Sequence, residues 1–326
     1  MNIVIVNLSP IPVYAYGGTE RVIWDLGRAL VESGHRVTFL VPEGSSCDFA
    51  QVSIIAPTQT WQQQIPSDTD VVHFQFQPEL GEDFGFPYVI TEHGNSKQPT
   101  PLNQQTIFVS QNHAMRYGSD SYVLNGLDWR AYGAVDWSRP REYYHFLGKA
   151  AWRVKNVKGA IQVAKKANVE LHVLGGDRLN IKRGFRWTLS RSIQFHGMVG
   201  GAQKNQLLNG SRGMIFPVRW HEPFGLATIE SLYFGCPVFA TPYGALPELV
   251  PEDCGVLSAD ATVLADAIRS QHFDPMQCHE HVLQHFNPVV MMQGYLEKYR
   301  QVMAGQTLNA EQPCLKENPE ALAWYS

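Results

Sequence analysis

Two carboxylates, Glu222 and Glu230, stand eight positions apart in the segment HEPFGLATIESLYFGCPVFATPYGALPELV, which runs from His221 to Val250. Glu222 precedes a predicted helix, and Glu230 lies within the opening turns of that helix. The first backbone N–H groups of a helix have no partner inside it and carry the positive end of its dipole, so they bind anions. The pattern therefore fits a ligand with a sugar at one end, a diphosphate in the middle and a nucleoside at the other.

This segment resembles retaining glycosyltransferases of family 4, whose signature is an acid, seven residues and a second acid. The resemblance rests on Pro-Phe-Gly between the glutamates and on Gly-Cys-Pro-Val and Gly-Ala-Leu-Pro-Glu after them. It implies that Glu222 binds hydroxyls of the donor sugar and that Glu230 binds the ribose. An ordinary surface helix with a solvated glutamate at each end is the alternative. The resemblance further implies that backbone N–H groups contact the sugar and the diphosphate at Phe224, Gly225, Leu226, Ala227 and Thr228.

Two motifs in the first half of the chain extend the resemblance. GGTERVIWDL begins with Gly17 and Gly18, adjacent glycines that let the backbone approach a phosphate or a sugar. They follow Asn7 by ten residues, which does not fit a dinucleotide-binding fingerprint, and a plain turn before a helix is the alternative. TEHGN places His93 at a strand end, where the family has a histidine that lines the pocket of the donor sugar. His73, in VVHFQF, is a second candidate, although its setting is more typical of a packed sheet.

Two lysines open the second half of the predicted fold, in FLGKAAWRVKN. The family has Gly-Arg here and Lys-Gly six residues after the arginine, so Lys149 takes the place of the arginine and Lys155 that of the lysine. Asn156 replaces the glycine. Two cations at a strand end can neutralise a leaving diphosphate, although lysine lacks the bidentate fork of arginine. Lys158-Gly159 is an alternative Lys-Gly pair, and two solvated lysines are the alternative to a site.

Two further segments are candidates for ligand contacts. FHGMVGG resembles the strand and turn whose backbone recognises the base in the family, which makes Gly197 and Met198 candidates. The segment from Arg178 to Arg191 carries five cations with Phe185 and Trp187 among them. A basic aromatic patch can bind anionic lipid headgroups or an anionic acceptor, and a solvated helix face is the alternative.

Composition restricts the class of protein. The chain has 326 residues, enough for two domains, and its net charge of -4 argues against nucleic acid as a partner. The five scattered cysteines, without a CxxC motif, indicate a reducing compartment and no zinc site. The N-terminus lacks the pattern of a signal peptide, and no apolar run reaches 18 residues. These features predict a cytoplasmic protein, with peripheral contact at the inner face of a membrane as a further hypothesis.

Strand and helix patterns alternate along the chain and restart after Pro140, which predicts two parallel α/β units. With the resemblance, this implies the GT-B fold: two facing, doubly wound Rossmann-like domains with a cleft between them, and ligands beyond the carboxyl ends of the strands. We expect an acceptor-side domain at 1–138, completed by a terminal crossover helix and tail at about 288–326. We expect the nucleotide-sugar-binding domain at 139–287. The residues after Gly305 read as a loose tail.

The resemblance implies transfer of a hexose from a UDP- or GDP-linked sugar to an acceptor hydroxyl, with retention at the anomeric carbon. The nucleotide-sugar is a co-substrate, and no other cofactor and no metal is expected. The acceptor would be a glycan, a lipid-linked or a small-molecule hydroxyl, in glycan, lipopolysaccharide or glycolipid synthesis. Two alternatives stay open, which are a nucleotide-sugar epimerase of the same fold and a non-catalytic nucleotide-sugar-binding protein.

Overall fold

The computed structural model describes residues 1–12, 18–81, 84–180, 186–316 and 322–325. The chain divides into two compact units. The first is Met1–Asp128 with Phe286–Asn318, and the second is Trp129–His285 with Pro319–Ser326. Each unit contains one six-stranded sheet. Both sheets are parallel throughout, as expected for two Rossmann-like domains, and the GT-B prediction for the fold is confirmed in this respect.

The sheet of the first unit has the strand order β3-β2-β1-β4-β5-β6, the common order of a doubly wound dinucleotide-binding fold. Strands β1, β2 and β4 are buried along almost their whole length. Their near-continuous Val, Ile, Leu and Phe runs fit strands covered on both faces. The strands are β1 Asn2–Val6, β2 Arg36–Val41, β3 Gln51–Ile54, β4 Val71–Phe74, β5 Tyr88–Glu92 and β6 Thr106–Phe108.

Four α-helices of the described residues belong to the first unit. The longest, α10, begins with a proline after Asn287, whose side chain accepts hydrogen bonds from the N–H groups of Val289 and Val290. This cap satisfies donors that a helix start leaves open, and proline suits the first position. Helix α10 packs against α1 and β5. The helices are α1 Gly18–Glu32, α2 Trp61–Gln64, α3 Gln111–Arg116 and α10 Pro288–Met303.

His73 belongs to the core of the first unit. It is fully buried on β4, and its Nδ1 lies 2.8 Å from the hydroxyl of Tyr299 on α10. Its Nε2 lies 2.7 Å from Oγ1 of Thr91 on β5, and that oxygen lies 3.0 Å from the hydroxyl of Tyr295. The histidine therefore joins the terminal helix to the sheet, in agreement with the packed-sheet interpretation of its sequence.

The sheet of the second unit has the order β11-β8-β7-β12-β13-β14, and a two-stranded antiparallel hairpin of β9 and β10 lies outside it. Counted within the unit and without the hairpin, the order is that of the first sheet. The chain therefore winds outward in both directions from the pair β7 and β12. The strands are β7 Tyr143–Leu147, β8 Leu171–Leu174, β9 Leu179–Asn180, β10 Arg186–Trp187, β11 Ile193–Phe195, β12 Ser211–Phe216, β13 Val238–Ala240 and β14 Gly255–Leu257.

Helices of the second unit connect these strands. Helix α4 begins after Asn156, which has a left-handed φ of 54° and accepts a hydrogen bond from the N–H of Gly159. Asparagine tolerates this conformation and caps helices, which explains how it replaces the glycine of the family pattern. The helices are α4 Val157–Ala167, α5 Gly201–Asn209, α6 Leu226–Tyr233, α7 Leu246–Leu249, α8 Ala261–Ser270 and α9 Pro275–His285. No helix of the described ranges is long and apolar enough to cross a membrane.

The first unit ends at Asp128, ten residues before the predicted domain boundary at 138. The reason is aromatic packing on α6. The ring of Trp129 stacks on Tyr233 with centroids 4.6 Å apart, and the hydroxyl of Tyr132 donates to Glu230. These contacts assign the 3-10 helix Trp129–Tyr132 to the second unit.

The expectation of a loose tail after Gly305 is wrong for the part of the tail that the structure describes. Leu308 and Leu315 are buried, and Asn309 donates to the carbonyl oxygens of Gln104 and Thr106 at 2.8 and 2.9 Å. The stretch 322–325 belongs to the second unit, where it adds backbone hydrogen bonds beside α8. Segment 288–326 is therefore shared between the two units, because its apolar and backbone groups find partners in both.

Candidate active site

The predicted donor-site residues of the second unit follow β7 and β12, neighbouring strands in the middle of the sheet. Lys149 comes two residues after β7, and Glu222 comes six residues after β12. An open α/β sheet binds ligands beyond the carboxyl ends of its strands, at the place where the winding direction reverses. The pair β7 and β12 is that place, so the topology brings both loops to the edge where a ligand is expected.

The N-terminus of α6 is shaped by two glycines. Gly225 precedes the helix with a φ of 110°, and a Cβ there would lie 3.3 Å from Cγ of Glu222. Gly244, in the Gly-Ala-Leu-Pro-Glu motif, has a φ of 67°, and a Cβ at this position would overlap the backbone of Glu222. Only glycine combines such a backbone with such close approach. Both glycines therefore serve to seat Glu222 against the start of α6.

One part of the anion-site prediction is wrong. The backbone N–H of Thr228 donates to the carbonyl of Gly225 at 2.9 Å, so it is not among the open donors predicted between Phe224 and Thr228. The hydroxyl of Thr228 is buried and has no hydrogen-bond partner among the described residues, although a buried polar group normally has one. This hydroxyl would lie 3.4 Å from a Cβ at Gly225. It is therefore a candidate donor to a ligand oxygen in the first turn of the helix.

Glu222 accepts two hydrogen bonds on one carboxylate oxygen. The ammonium of Lys155 lies 2.6 Å from Oε2, and the indole N–H of Trp220 donates to the same atom at 2.8 Å. Lys155 Nζ also lies 4.8 Å from the ring centre of Trp220 and 5.2 Å from that of Phe216, both within the range of cation–π attraction. The acid predicted for the sugar and the cation predicted for the diphosphate therefore form one network.

The structure distinguishes the two Lys-Gly alternatives. Lys155 ends the 3-10 helix Arg153–Lys155, and its side chain turns towards Glu222. Lys158, in the first turn of α4, is exposed. The other predicted cation, Lys149, is half-buried, and its Nζ lies 5.1 Å from the ring centre of Trp152. Of the two alternatives, Lys155 is thus the lysine that contacts Glu222.

Glu230, in α6, is buried with two partners that the sequence did not indicate. Lys204 of α5 places its Nζ 2.6 Å from Oε1, and the hydroxyl of Tyr132 donates to the same oxygen at 2.6 Å. All three side chains are buried. No local pattern marks Lys204 or Tyr132, because their role depends on a carboxylate that is 26 and 98 residues away in the sequence.

Gly197 and Met198 follow β11 at the same edge of the sheet. Gly197 has a φ of 68°, and its carbonyl accepts a hydrogen bond from the N–H of Gly175 at 2.7 Å. The side chain of Met198 is exposed. The turn after β11 is therefore tied to the end of β8, and the role of its backbone in base recognition stays a prediction.

His93 and Gly18 lie in the first unit, apart in sequence from the glutamates and lysines. His93 follows β5, is half-buried, and its Nε2 lies 2.8 Å from Oε1 of Gln75. Burial lowers the pKa of His93 to about 4, so the ring is neutral near pH 7. Gly18 is the first residue of α1, whereas Gly17 lies outside the described residues. The histidine can therefore act in hydrogen bonding but carries no charge.

Possible metal ligands do not cluster. Within the described ranges, no group of three or more His, Cys, Asp or Glu side chains could hold a metal ion. One Asp-x-Asp pair is present, Asp68 and Asp70, just before β4. Asp68 pairs with Arg36, and Asp70 accepts a hydrogen bond from the N–H of Asn2 at 2.7 Å. The pair lies at the amino end of the strand, which is opposite to the edge where a doubly wound sheet binds ligands.

The basic segment from Arg178 to Arg191 contains a hairpin rather than a helix face. Arg178 is exposed, and its guanidinium donates to the carbonyl oxygens of Thr188, Ser190 and Ile193. Trp187 is 63% exposed and Leu189 is 73% exposed. Lys182, Arg183 and Phe185 lie outside the described residues. Arg178 therefore ties the segment to its own backbone, and exposed apolar side chains lie beside it at Leu179, Trp187 and Leu189.

Comparison with known proteins agrees with this geometry. Residues 141–272 match the family of glycosyl transferases group 1. No sequence relative was found among curated proteins. Among solved structures, AviGT4, a glycosyltransferase involved in avilamycin A biosynthesis, is similar at a TM-score of 0.73 and 19% identity, over 94% of this chain and 99% of that one.

Two other solved structures have the same fold. Sucrose-phosphate synthase from Thermosynechococcus elongatus has a TM-score of 0.68 and 18% identity, over 94% of this chain and 100% of that one. HepE of Anabaena, in complex with UDP and glucose, has a TM-score of 0.62 and 15% identity, over 92% of this chain and 99% of that one. At such identities the likeness concerns the fold. Together with the family match, it identifies the protein as a glycosyltransferase with the GT-B fold.

Proposed function

We propose that this glycosyltransferase transfers a hexose from a UDP- or GDP-linked sugar to an acceptor hydroxyl, with retention at the anomeric carbon, as the family 4 enzymes do. The observation that carries the proposal is the arrangement around α6. Glu222 and Glu230 lie before and within its opening turns, and each carboxylate pairs with a lysine at 2.6 Å. Similarity in fold to HepE, whose structure contains UDP and glucose, supports a nucleotide-linked donor.

The donor would occupy the edge of the second sheet along α6. Its diphosphate would lie at the helix N-terminus, where Lys149 and Lys155 supply positive charge close to the dipole. Its sugar would lie against Glu222, with backbone N–H groups of Phe224 to Leu226 as donors. Its ribose would bind to Glu230, and its base to the turn of Gly197 and Met198. His93 would bind a sugar hydroxyl through its neutral ring.

In the proposed reaction, the bond between the anomeric carbon and the diphosphate oxygen breaks, and a bond to the acceptor oxygen forms on the same face of the sugar. The acceptor's proton passes to an oxygen of the leaving diphosphate. Because the leaving diphosphate accepts the proton, the protein supplies no base in this path. Its residues stabilise the charges that develop in the transition state. Lys149, Lys155 and the helix N-terminus bind the diphosphate as its negative charge grows. Glu222 favours the positive charge that develops on the ring.

The acceptor would be a glycan, a lipid-linked or a small-molecule hydroxyl. For a lipid-linked acceptor, we propose peripheral contact with an anionic membrane through the β9–β10 hairpin. Exposed Leu179, Trp187 and Leu189 would enter the interface, and exposed Arg191 would meet the headgroups. Cosedimentation with phosphatidylglycerol vesicles tests this contact. We expect binding that the substitution Trp187→Ser weakens, and equal binding of the two proteins would contradict it.

Product analysis tests the proposed reaction. The protein is incubated with UDP- and GDP-hexoses, each with and without a panel of sugar and lipid-linked acceptors, and products are analysed by mass spectrometry and NMR. We expect release of the nucleoside diphosphate together with a glycoside whose anomeric configuration equals that of the donor. An inverted product would exclude retention. Conversion of the donor sugar without acceptor would favour the epimerase, and donor binding without any conversion would favour the non-catalytic alternative.

A further inference from the structure

The partners of Glu230 form a compact buried group in the second unit. Oxygen Oε1 accepts hydrogen bonds from Lys204 Nζ and from the hydroxyl of Tyr132, both at 2.6 Å. Lys204 Nζ also lies 5.0 Å from the ring centre of Tyr132. Three side chains, from α5, α6 and the 3-10 helix before β7, therefore meet around one carboxylate oxygen.

Tyr132 is also held by contacts that do not involve the carboxylate. Asn205, next to Lys204 on α5, donates from its side-chain amide to the carbonyl oxygen of Tyr132 at 2.8 Å. The ring of Tyr132 lies 5.9 Å from that of Tyr233 at the end of α6. Tyr132 is thus anchored independently of the carboxylate and is tied to the helix that carries Lys204, so it can fix the orientation of the carboxylate rather than merely follow it.

The energetic cost of burying this ion pair suggests that it serves function rather than stability. A buried Lys–Glu pair seldom stabilises a fold more than a well-packed apolar pair would, because both charges lose their hydration. Both donors bind the same oxygen, Oε1, so together they restrict the rotation of the Glu230 carboxylate. A carboxylate whose orientation is fixed before binding loses less conformational entropy when it binds two hydroxyls.

We propose that Lys204 and Tyr132 are positioning residues that orient the Glu230 carboxylate towards the 2′- and 3′-hydroxyls of the donor's ribose. They thereby set the preference of this enzyme for a ribonucleotide over a deoxyribonucleotide. The inference rests on the proposed function, which assigns the ribose to Glu230. It adds two residues that the sequence did not indicate and a specificity that depends on them.

The test compares the binding of matched nucleotides by calorimetry. UDP and 2′-deoxy-UDP, and GDP and 2′-deoxy-GDP, are titrated into the wild-type chain and into the variants Lys204→Met, Tyr132→Phe and Glu230→Gln. Lys204→Met removes the charge but keeps the length, and Tyr132→Phe removes only the hydroxyl. Lys158→Met is the matched control, because Lys158 is an exposed lysine of the same unit. The measured quantity is the ratio of the dissociation constants of the deoxy and ribo forms.

We expect the wild-type and Lys158→Met proteins to prefer the ribonucleotide by about tenfold or more, the usual effect of losing a hydrogen bond at a buried polar group. In Lys204→Met and Tyr132→Phe the ratio should fall towards one, because binding of the ribonucleotide weakens and that of the deoxy form changes little. Lys204→Arg, which keeps the charge, should restore part of the ratio.

Three outcomes separate the inference from the proposed function. If Glu230→Gln lowers the ratio but Lys204→Met and Tyr132→Phe leave it at the wild-type value, the two residues do not position the carboxylate and the inference is wrong. A parallel loss of affinity for both nucleotides in these variants would show a purely structural role and would also overturn it. If Glu230→Gln leaves the ratio unchanged, the assignment of the ribose to Glu230 fails instead. Tyr132→Phe decides between these outcomes even if Lys204→Met does not fold.

Discussion

The ammonium of Lys155 lies 2.6 Å from the Oε2 atom of Glu222, and both side chains are largely buried. Removal of one partner from a buried ion pair leaves an uncompensated charge, which is more costly than the pair itself. A donor diphosphate is an alternative partner for Lys155, and sugar hydroxyls are alternative partners for Glu222. If the donor provides these alternative partners, its binding would replace the ion pair between Lys155 and Glu222.

Lys155→Ala should lower kcat/KM by roughly a hundredfold or more, the scale of losing one charge contact in the transition state. Steady-state kinetics with the preferred donor measures the loss, and thermal unfolding shows whether the variant is folded. Lys158→Ala is the control, because this lysine is exposed, and it should retain its activity. A kcat/KM of Lys155→Ala close to that of the wild type would show that Lys155 does not bind the diphosphate in the transition state.

The two glutamates should differ in their effects. Glu230→Ala should weaken the free nucleoside diphosphate as well as the donor, by about 1–3 kcal/mol, as for loss of a partner at a buried polar site. Glu222→Ala should hardly change binding of the nucleoside diphosphate but lower kcat steeply, as expected for an interaction used mainly in the transition state. Calorimetry with the nucleotide and kinetics with the donor measure both effects. Equal weakening of the nucleotide by both substitutions would refute the division of roles.

Chelation should leave turnover nearly intact, because lysines and the helix N-terminus are proposed to replace a metal at the diphosphate. The rate is measured after dialysis against EDTA, with and without added magnesium or manganese. Loss of activity that either ion restores would contradict the metal-independent mechanism.

The activity should show no titration of His93 between pH 5 and 8. Burial holds the pKa of His93 at about 4, so the ring is neutral throughout this range and can act only through hydrogen bonds. The ratio of kcat/KM between the wild type and His93→Gln should therefore be constant from pH 5 to 8. A ratio that changes through pH 6.5, the usual pKa of histidine, would show that the ring is charged in the reacting enzyme.

Stability should depend on pH through Asp25, which lies buried in α1 and accepts the N–H of Asp128 at 2.8 Å. Burial raises its pKa to about 7, and the Asp128 carboxylate adds to the rise, whereas the Asp128 N–H and the arginines Arg21 and Arg28 oppose it. Folding therefore favours the protonated acid. This contribution is complete below about pH 4 and is lost as the pH rises to about 7.

Asp25→Asn keeps an acceptor for the Asp128 N–H and carries no charge. The variant should gain stability relative to the wild type as the pH rises from 4 to 7, by up to about 4 kcal/mol, and the difference should stay constant above that. Urea midpoints over a pH series measure it, with Glu43→Gln, at an exposed acid, as the control. A difference that does not vary with pH would show that Asp25 is ionised throughout.

Much of the fold could be predicted from the sequence because its signals are local. Helix α10 begins at Pro288, where the terminal crossover helix was predicted, because its apolar periodicity and its cap lie within a few turns of each other. Each buried strand reads as an apolar run for the same reason. The position of Glu222 before α6 and of Glu230 within it follows from their spacing alone. The motif Gly244-Ala245-Leu246-Pro247-Glu248 has a local signature, although its function is to let Gly244 approach the backbone of Glu222.

The partners of the two acids were decided by the tertiary structure. Lys155 binds Glu222 over 67 residues of sequence, and Tyr132 binds Glu230 over 98 residues, because parallel strands and their crossovers bring distant loops to one edge of the sheet. Lys204 reads as an ordinary helix lysine until the fold brings its side chain to Glu230 of α6 and buries both. The boundary at Asp128 and the packed stretch after Gly305 depend on long-range contacts in the same way. A residue's own type and spacing determine which chemistry it can perform, whereas the fold decides which partner it meets.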